Sequence, residues 1–488
     1  MTTPVTSIHP DPRRWWALVL IAVAQFVVIM DTSIIGVALP EIQTALGFSQ
    51  AQLSWVFNAY VIAFGGLLLL GGRLSDIHGP RRIFALGFAI LGGASLLTGL
   101  AGSPEVLLLG RALQGAGSAL IAPAALTLLM TLFAHDPKEL TRAFAVYGAA
   151  APAGGTAGVF LGGLLTDALD WRWVFLVNVP IAIAVLALVR RLLPEGMSRR
   201  RSLDVLGAVS VTAALSLAVL GIARAPELGW RSTETLLTLG AAAVLLGIFL
   251  VLQAVRREPL MPLAIWRTPN LAVANLAMAL LGAAWVPAWF FLNLYLQQVA
   301  GFGAFEGGAA LVPMTLTIMV LMVIVTPRMV ARFGFRPPLV AGMVILATGI
   351  GWLALLPVGG DFVANVLPAS LVAATGMALA YIPAMLAALS GVRPEEGGLA
   401  SGIVNTTYQV GSALGLAVVA AIATGSGAGQ VDDVDALVRG FGAAFTVAAA
   451  VALGGAVIAA VGLRRRAPAA DAPDLTDAST SSSAMPVT

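Results

Sequence analysis

Fourteen stretches of about twenty or more residues run through the chain with almost no charge inside them, and that repetition limits its fold more than any single motif. They fall at 15–38, 53–72, 83–101, 105–132, 141–165, 172–193, 204–223, 233–255, 271–296, 307–328, 337–356, 362–389, 397–424 and 438–463, and are numbered as spans 1 to 14. A hydrocarbon layer about 30 Å thick takes roughly 20 helical residues to cross, and within it every backbone polar group must be bonded inside the protein. An all-α polytopic membrane protein with fourteen crossings is the expectation. The first run is too long for the apolar core of a signal peptide and lacks a small-residue cleavage site after it, so it reads as a retained span.

Composition supports the same class. Hydrophobic residues make up 59% of the chain and charged residues 10%, against about a quarter charged in soluble domains. No globular core could hide that much apolar surface. With no cysteine, disulfides, thiolate metal sites and cysteine nucleophiles are excluded, and three histidines make no zinc site. No metal and no cofactor are expected. A net charge of +3 gives no footprint for nucleic acid; the expected partners are small amphipathic substrates, protons and the lipid bilayer, with the chain working as a monomer.

Twenty-two of the twenty-seven Lys and Arg fall in alternate loops and at both ends, four fall in the other loops, and Arg111 lies within span 4. Short cytoplasmic loops collect such residues, so both termini are expected in the cytoplasm of a cell whose cytoplasmic membrane holds the protein. The segment 464–488, rich in Ala, Pro, Asp, Ser and Thr, reads as a disordered cytoplasmic tail, and 1–14 as a cytoplasmic N-terminus.

An internal repeat organises the spans. After span 2 the chain reads Gly72-Arg73-Leu74-Ser75-Asp76-Ile77-His78-Gly79-Pro80-Arg81, and after span 10 Pro327-Arg328-Met329-Val330-Ala331-Arg332-Phe333-Gly334-Phe335-Arg336. Arg, Gly and Arg recur at the same three offsets. Equivalent loops eight spans apart predict two six-span bundles, 15–193 and 271–463, with spans 7 and 8 inserted in 194–270 and a cavity between the halves.

The segment Gly72 to Arg82 resembles the loop signature of the major facilitator superfamily, with Pro80 departing from the usual basic residue. Met30-Asp31-Thr32 through Val37-Ala38-Leu39-Pro40 resembles the span 1 motif of its fourteen-span drug:proton antiporters, and Leu109-Gly110-Arg111-Ala112-Leu113-Gln114-Gly115 their span 4 motif. Span 5, with Pro152, Gly154, Gly155, Gly158, Gly162 and Gly163 before Trp171-Arg172-Trp173, is similar to the glycine-rich motif of exporters. The resemblance implies a fold of two six-helix bundles plus two central helices, and proton-coupled export of lipophilic molecules. It also implies a cytoplasmic gate in which Asp76 pairs with arginine and a helix N-terminus of the other half, with Gly72, Gly79, Arg81 and Arg82 as members.

Asp31 lies about 15 residues into span 1 and Arg111 about six into the oppositely directed span 4, which puts both in the outer half at about 1.5 Å of rise per residue. A charge inside a span costs at least about 2.5 kcal/mol on insertion scales, so both are expected to face a partner in the central cavity. Burial favours a neutral acid and a nearby guanidinium favours a carboxylate, so a change in their separation would switch a proton on and off. A fixed ion pair tying spans 1 and 4 is the other reading of the same residues; the resemblance implies coupling.

Gln114, Gly115 and Ser118 share a helical face with Arg111 and form a stripe that either lines the cavity or packs small residues between helices. Gln25, Asn58, Trp285, Trp289, Asn293, Asn405 and Gln409 are further candidates for the cavity wall, the tryptophans equally readable as interfacial anchors. No acid lies well inside spans 9 to 14, which disfavours a site for dications. Gly154, Gly158 and Gly162 form a ridge for close helix approach. A secondary transporter follows from spans, repeat and buried charge. An exporter dedicated to one endogenous metabolite such as an antibiotic is the alternative. A membrane enzyme or sensor lacks the paired catalytic groups or soluble domain it would need.

Overall fold

The computed structural model describes residues 13–48, 55–195, 204–256, 259–393, 396–428 and 433–464. The C-terminal tail, nearly all of the N-terminal segment, and Arg199, Arg200, Arg201, Arg257, Arg465 and Arg466 lie outside the described residues. Among the described residues every regular element is helical. Span 1 is Arg14–Ser33 continued by Ile35–Leu46; spans 2 to 5 are Trp55–His78, Pro80–Gly99, Pro104–Phe133 and Pro137–Ala168; span 6 is the turn Trp173–Leu176 followed by Asn178–Leu192. Spans 7 and 8 are Val205–Leu228 and Thr233–Val255. Span 9 is Leu271–Gln298, span 10 runs from Ala304–Ala310 through Val312–Val320 and a wide turn to Thr326–Phe333, and span 11 is Arg336–Leu353. Spans 12 to 14 centre on Leu367–Leu389, Gly397–Ala423 and Val434–Gly462.

Among the described residues thirteen helices are long and apolar enough to cross a membrane, and span 7 adds the shorter apolar stretch Leu206–Ile222. Many starts are written in the local sequence. Ser103, Asp136, Asp204, Ser232, Asp361 and Asp433 each accept a hydrogen bond from a backbone N–H of the first turn that has no partner inside the helix. Span 1 departs from its expected end at residue 38. After the junction at Ile34 the chain stays helical through Pro40 to Leu46 and stops where Gly47 turns left-handed, at φ 70°. Pro40 withholds the one N–H that would bond Gly36 O, and the helix continues past it for six residues.

The repeat is visible in three dimensions. Gly79 and Gly334 both adopt positive φ, 89° and 75°, a conformation that favours glycine and that turns the chain sharply after spans 2 and 10. Arg81 then donates to Leu193 O at the end of span 6, 3.3 Å away, and its counterpart Arg336 donates to Ala460 O at the end of span 14. Each loop is thus fastened to the last span of its own bundle.

Spans 2 and 13 join the halves on one side and spans 5 and 10 on the other. A Cβ on Gly72 would lie 2.4 Å from Gly398 O, so the backbones of spans 2 and 13 approach closely, and one on Gly148 of span 5 would lie 2.5 Å from Ile382 Cδ1 of span 12, so that side chain fills the space a larger residue would take. Thr156 of span 5 and Thr315 of span 10 share a hydrogen bond across the halves. Residues 117–129 of span 4, 376–385 of span 12 and 397–404 of span 13 are buried without interruption. All three stretches lie toward the arginine-rich end of the bundle, so that end is closed.

Span 7 packs on span 2 at Gly65 and Gly66, where a Cβ on Gly66 would lie 2.2 Å from Ser216 Oγ. Span 8 lies outside span 7 and is mostly exposed. The inserted pair is stapled at the basic end. Asp204 Oδ2 accepts from Gln253 Nε2 at 3.0 Å, Gln253 Oε1 accepts from Met261 N at 2.9 Å, and Arg73 of span 2 donates to Pro259 O at 3.3 Å. Burial alone would push the Asp204 carboxyl up; hydrogen bonds from Gly207 N–H and Gln253, with Arg256 nearby, outweigh it and hold the group below its ordinary value.

Candidate functional site

Five of the six spans of the first bundle converge on Asp31. Its Oδ2 accepts from Arg111 Nη1 at 2.7 Å, and its Oδ1 accepts from Gln114 Nε2 at 3.0 Å and Asn178 Nδ2 at 2.6 Å. Gln114 also donates to Ser95 Oγ on span 3 at 2.8 Å, and its Oε1 accepts from Arg111 Nη1 at 2.9 Å. Span 2 contributes a backbone carbonyl and a ring: Arg111 Nε donates to Val56 O at 3.0 Å, and the guanidinium carbon sits 4.6 Å from the centre of Tyr60. Asp31 and Arg111 are each 0% exposed. Three donors, one of them a guanidinium, thus surround one fully buried carboxylate, the kind of pairing a buried charge requires.

The expectation that this pair faces the central cavity is corrected. The carboxylate and guanidinium are sealed inside the first bundle, between spans 1, 2, 3, 4 and 6. Gln114 and Ser118 are likewise 0% exposed, and a Cβ on Gly115 would lie 2.3 Å from Tyr60 O. The stripe on span 4 is therefore a packing and hydrogen-bonding face, not a cavity wall, in this conformation. Sequence reasoning missed Asn178, Ser95 and Tyr60. Asn178 had a signal: it is the one amide in the apolar run 172–193.

The remaining cavity candidates are more dispersed. Gln25 is buried, its Oε1 accepting from Tyr147 Oη at 2.7 Å, which ties span 1 to span 5. Asn58, Trp285, Trp289, Asn405 and Gln409 are half-buried; Asn405 Nδ2 donates to Ser401 O at 2.9 Å, and Asn293 Oδ1 accepts from Gln297 Nε2 at 2.6 Å. Tyr381 of span 12 and Tyr408 of span 13 meet edge to face at 5.8 Å.

On span 5, Gly154, Gly158 and Gly162 lie against the backbone of span 1. Added Cβ atoms would lie 2.4 Å from Phe26 O, 2.9 Å from Met30 O and 2.6 Å from Ile34 O. Gly155 points elsewhere, its nearest neighbours at 3.8 Å, so its expected place in the packing ridge is corrected. Pro152 lies inside an unbroken helix.

At the basic end Asp76 crosses between the halves. Its Oδ1 accepts from Gly398 N–H at 2.8 Å and its Oδ2 from Leu399 N–H at 3.0 Å, the first turn of span 13, where unsatisfied amides and the helix dipole both favour an anion. Gly72 lies one turn away against Gly398. The other expected gate members do not cross. Gly79 makes the turn, Arg81 binds Leu193 O and Glu195 in its own half, and Arg82 is exposed.

Residues 21–416 match the family profile of the major facilitator superfamily. The chain is 43% identical over 415 residues to the cephamycin export protein of Amycolatopsis lactamdurans, covering 84% of this chain and 85% of that one. It is 38% identical to the puromycin resistance protein of Streptomyces alboniger, covering 95% of this chain and 94% of that one. Among solved structures, the proton:xylose symporter XylE has the same fold at a TM-score of 0.66 and 13% identity, covering 92% of this chain and 95% of that one.

Proposed function

The chain belongs to the major facilitator superfamily, and we propose that within it this protein exports antibiotics and similar amphipathic small molecules from the cytoplasm in exchange for protons. Its curated relatives are named for cephamycin export and puromycin resistance, which supports that cargo class. It is a transporter and not an enzyme.

The observation that carries the coupling is the Asp31–Arg111 pair, 2.7 Å apart and out of reach of solvent. A buried carboxylate is held ionised by its donors; a movement of spans 1, 4 or 6 that lengthens those bonds favours the protonated acid. Alternating access supplies that movement. With the basic end facing the cytoplasm of a multi-pass protein in the cytoplasmic membrane, the Asp76 clasp belongs to the state closed toward the cytoplasm, and releasing it lets substrate enter. Each inward proton carries about 2.3 kcal/mol per 100 mV of potential, plus the pH difference.

Spans 9, 12 and 13 offer Trp285, Trp289, Tyr381, Tyr408, Asn405 and Gln409 as the second half's share of the binding surface. The test is uphill accumulation in inside-out vesicles energised by a pH gradient, with puromycin and a cephamycin as probes. Accumulation that collapses with an uncoupler is expected; no gradient-driven uptake across a broad panel contradicts the reading. Uptake of a single compound favours the dedicated exporter.

A further inference from the structure

Asp31 Oδ1 accepts from two amides that differ in what their other ends do. Gln114 is fully committed: Oε1 accepts from Arg111, and Nε2 is shared between Asp31 and Ser95. Asn178 is not. Its Nδ2 donates to Asp31 at 2.6 Å, while its Oδ1 is buried without a hydrogen-bond partner. Arg111 Nη2 is likewise buried without a partner, so an unused acceptor and an unused donor both stand beside the acid, and together they point to a second bonding arrangement of the cluster.

We propose that Asn178 is a positioning residue that reports the protonation of Asp31 to span 6 by turning its amide over. An ionised carboxylate is acceptor-only and selects the Nδ2 end of the amide, the orientation observed. A carboxylic acid carries an O–H donor and selects an acceptor, which a half-turn about the terminal side-chain bond supplies as Oδ1. Gln114 cannot make this exchange without surrendering Arg111. The proton adds to Asp31 and leaves from Asp31; no covalent bond of Asn178 changes. The side chains that face Asp31 are Arg111 and Gln114 from span 4, Tyr60 from span 2, Asn178 from span 6 and Ser95 of span 3 through Gln114; the glycines of span 5 lie against Phe26, Met30 and Ile34 of span 1. Arg111 keeps its charge throughout and Tyr60 donates to Val28 O at 3.3 Å, leaving Asp31 as the group that changes state.

The location gives the switch a consequence. Asn178 is the first residue of the helix Asn178–Leu192, joined to the turn Trp173–Leu176 through Val177, whose backbone is itself helical. The amide therefore ties the acid on span 1 to the first turns of span 6, and exchanging a charge-assisted bond for a neutral one loosens that tie when the proton arrives. This rests on Asp31 being the proton carrier.

The experiment is pH-difference infrared spectroscopy of the purified protein in lipid, with asparagine carrying a ¹³C-labelled side-chain carbonyl. On acidification a carboxylic-acid band that is absent from Asp31→Asn is expected to appear, and an asparagine carbonyl band is expected to shift with the same midpoint and to be missing in Asn178→Leu. In transport, Asn178→Leu moves the pH midpoint upward by about one unit, because the carboxylate loses a donor. Asn178→Ser, whose hydroxyl both donates and accepts, restores it. An acid band that titrates while every asparagine band stays still overturns the switch and leaves proton coupling standing; no Asp31-dependent acid band at any pH overturns both. Should Asn178→Leu fail to fold, the labelled wild type and Asn178→Ser decide alone.

Discussion

The loops after spans 2 and 10 share a left-handed glycine and an arginine fastened to the last span of the same bundle, yet Asp76 stands in one where Ala331 stands in the other. The same asymmetry runs through the cores. The first bundle buries Asp31, Arg73 and Arg111. Among the described residues the second bundle buries Asn275, Thr315, Thr326, Ser370, Ser401, Thr406 and Ser412, with Glu396 at its basic edge as the only acid. Both halves of the duplicated frame bury neutral polar groups, Gln25, Ser95, Gln114 and Asn178 among those of the first, but the first adds buried ionic groups within its spans. On the function proposed above, that difference would divide labour, with protons and the gate managed in the first half and much of the substrate surface supplied by the second.

Removing one member of the buried pair is the most forceful way to break this comparison. Arg111→Leu leaves a carboxylate sealed without its counter-charge and is expected to destabilise the protein by about 3–5 kcal/mol. The double variant Asp31→Asn with Arg111→Leu recovers part of that loss. Thermal unfolding in detergent reads both, and a single variant as stable as the wild type would place the charges in water instead. No substitution of a buried polar residue in spans 9 to 14 should match it.

The gate comes next. Asp76→Asn keeps one acceptor oxygen and replaces the other with a donor facing a backbone N–H of span 13, so it loses at least one bond worth about 1.5–3 kcal/mol and shifts the protein toward the state open at the basic end. The natural absence of cysteine makes this measurable. A cysteine at Ser401, buried in this conformation, should label several-fold faster with a maleimide in the Asp76→Asn background. Equal labelling would mean that the clasp does not hold the halves together.

Span 5 offers a finer contrast between neighbours. Gly158→Ala pushes a methyl against Met30 O and Ser33 and is expected to cost about 1–3 kcal/mol. Gly155→Ala meets only ordinary contacts and gains helix propensity, so it should be neutral or slightly stabilising. Melting curves of the two variants separate a packing ridge from a glycine-rich sequence.

The smallest effect concerns the inserted spans. Asp204 has its proton affinity lowered in the folded state, so its stabilising contribution is present above the unfolded carboxyl value and fades as pH falls through the lower folded one. Asp204→Asn should therefore lower the melting temperature slightly at pH 7 and not at all at strongly acid pH. A difference that grows on acidification would reverse the sign of the argument.

Much of this was legible in one dimension, and the exceptions share a cause. Apolar length and arginine spacing predict the fourteen spans, and rise per residue puts Asp31 and Arg111 at matching depth. Depth says nothing about which neighbours close around a residue, so the seal over the pair and the convergence of Ser95, Tyr60 and Asn178 appear only once five helices are packed. Gly154 and Gly155 are indistinguishable by composition and differ by 100° of helical phase. Pro40 reads as a stop because proline usually is one, yet the helix Ile35–Leu46 runs through it to the left-handed Gly47.

The most direct test reconstitutes the protein in liposomes and follows proton release on addition of puromycin or a cephamycin. The wild type should release protons in a substrate-dependent way while Asp31→Asn, folded and inserted, releases none and does not export against a gradient. Undiminished proton release from Asp31→Asn would contradict the assignment of the buried carboxylate as the proton carrier.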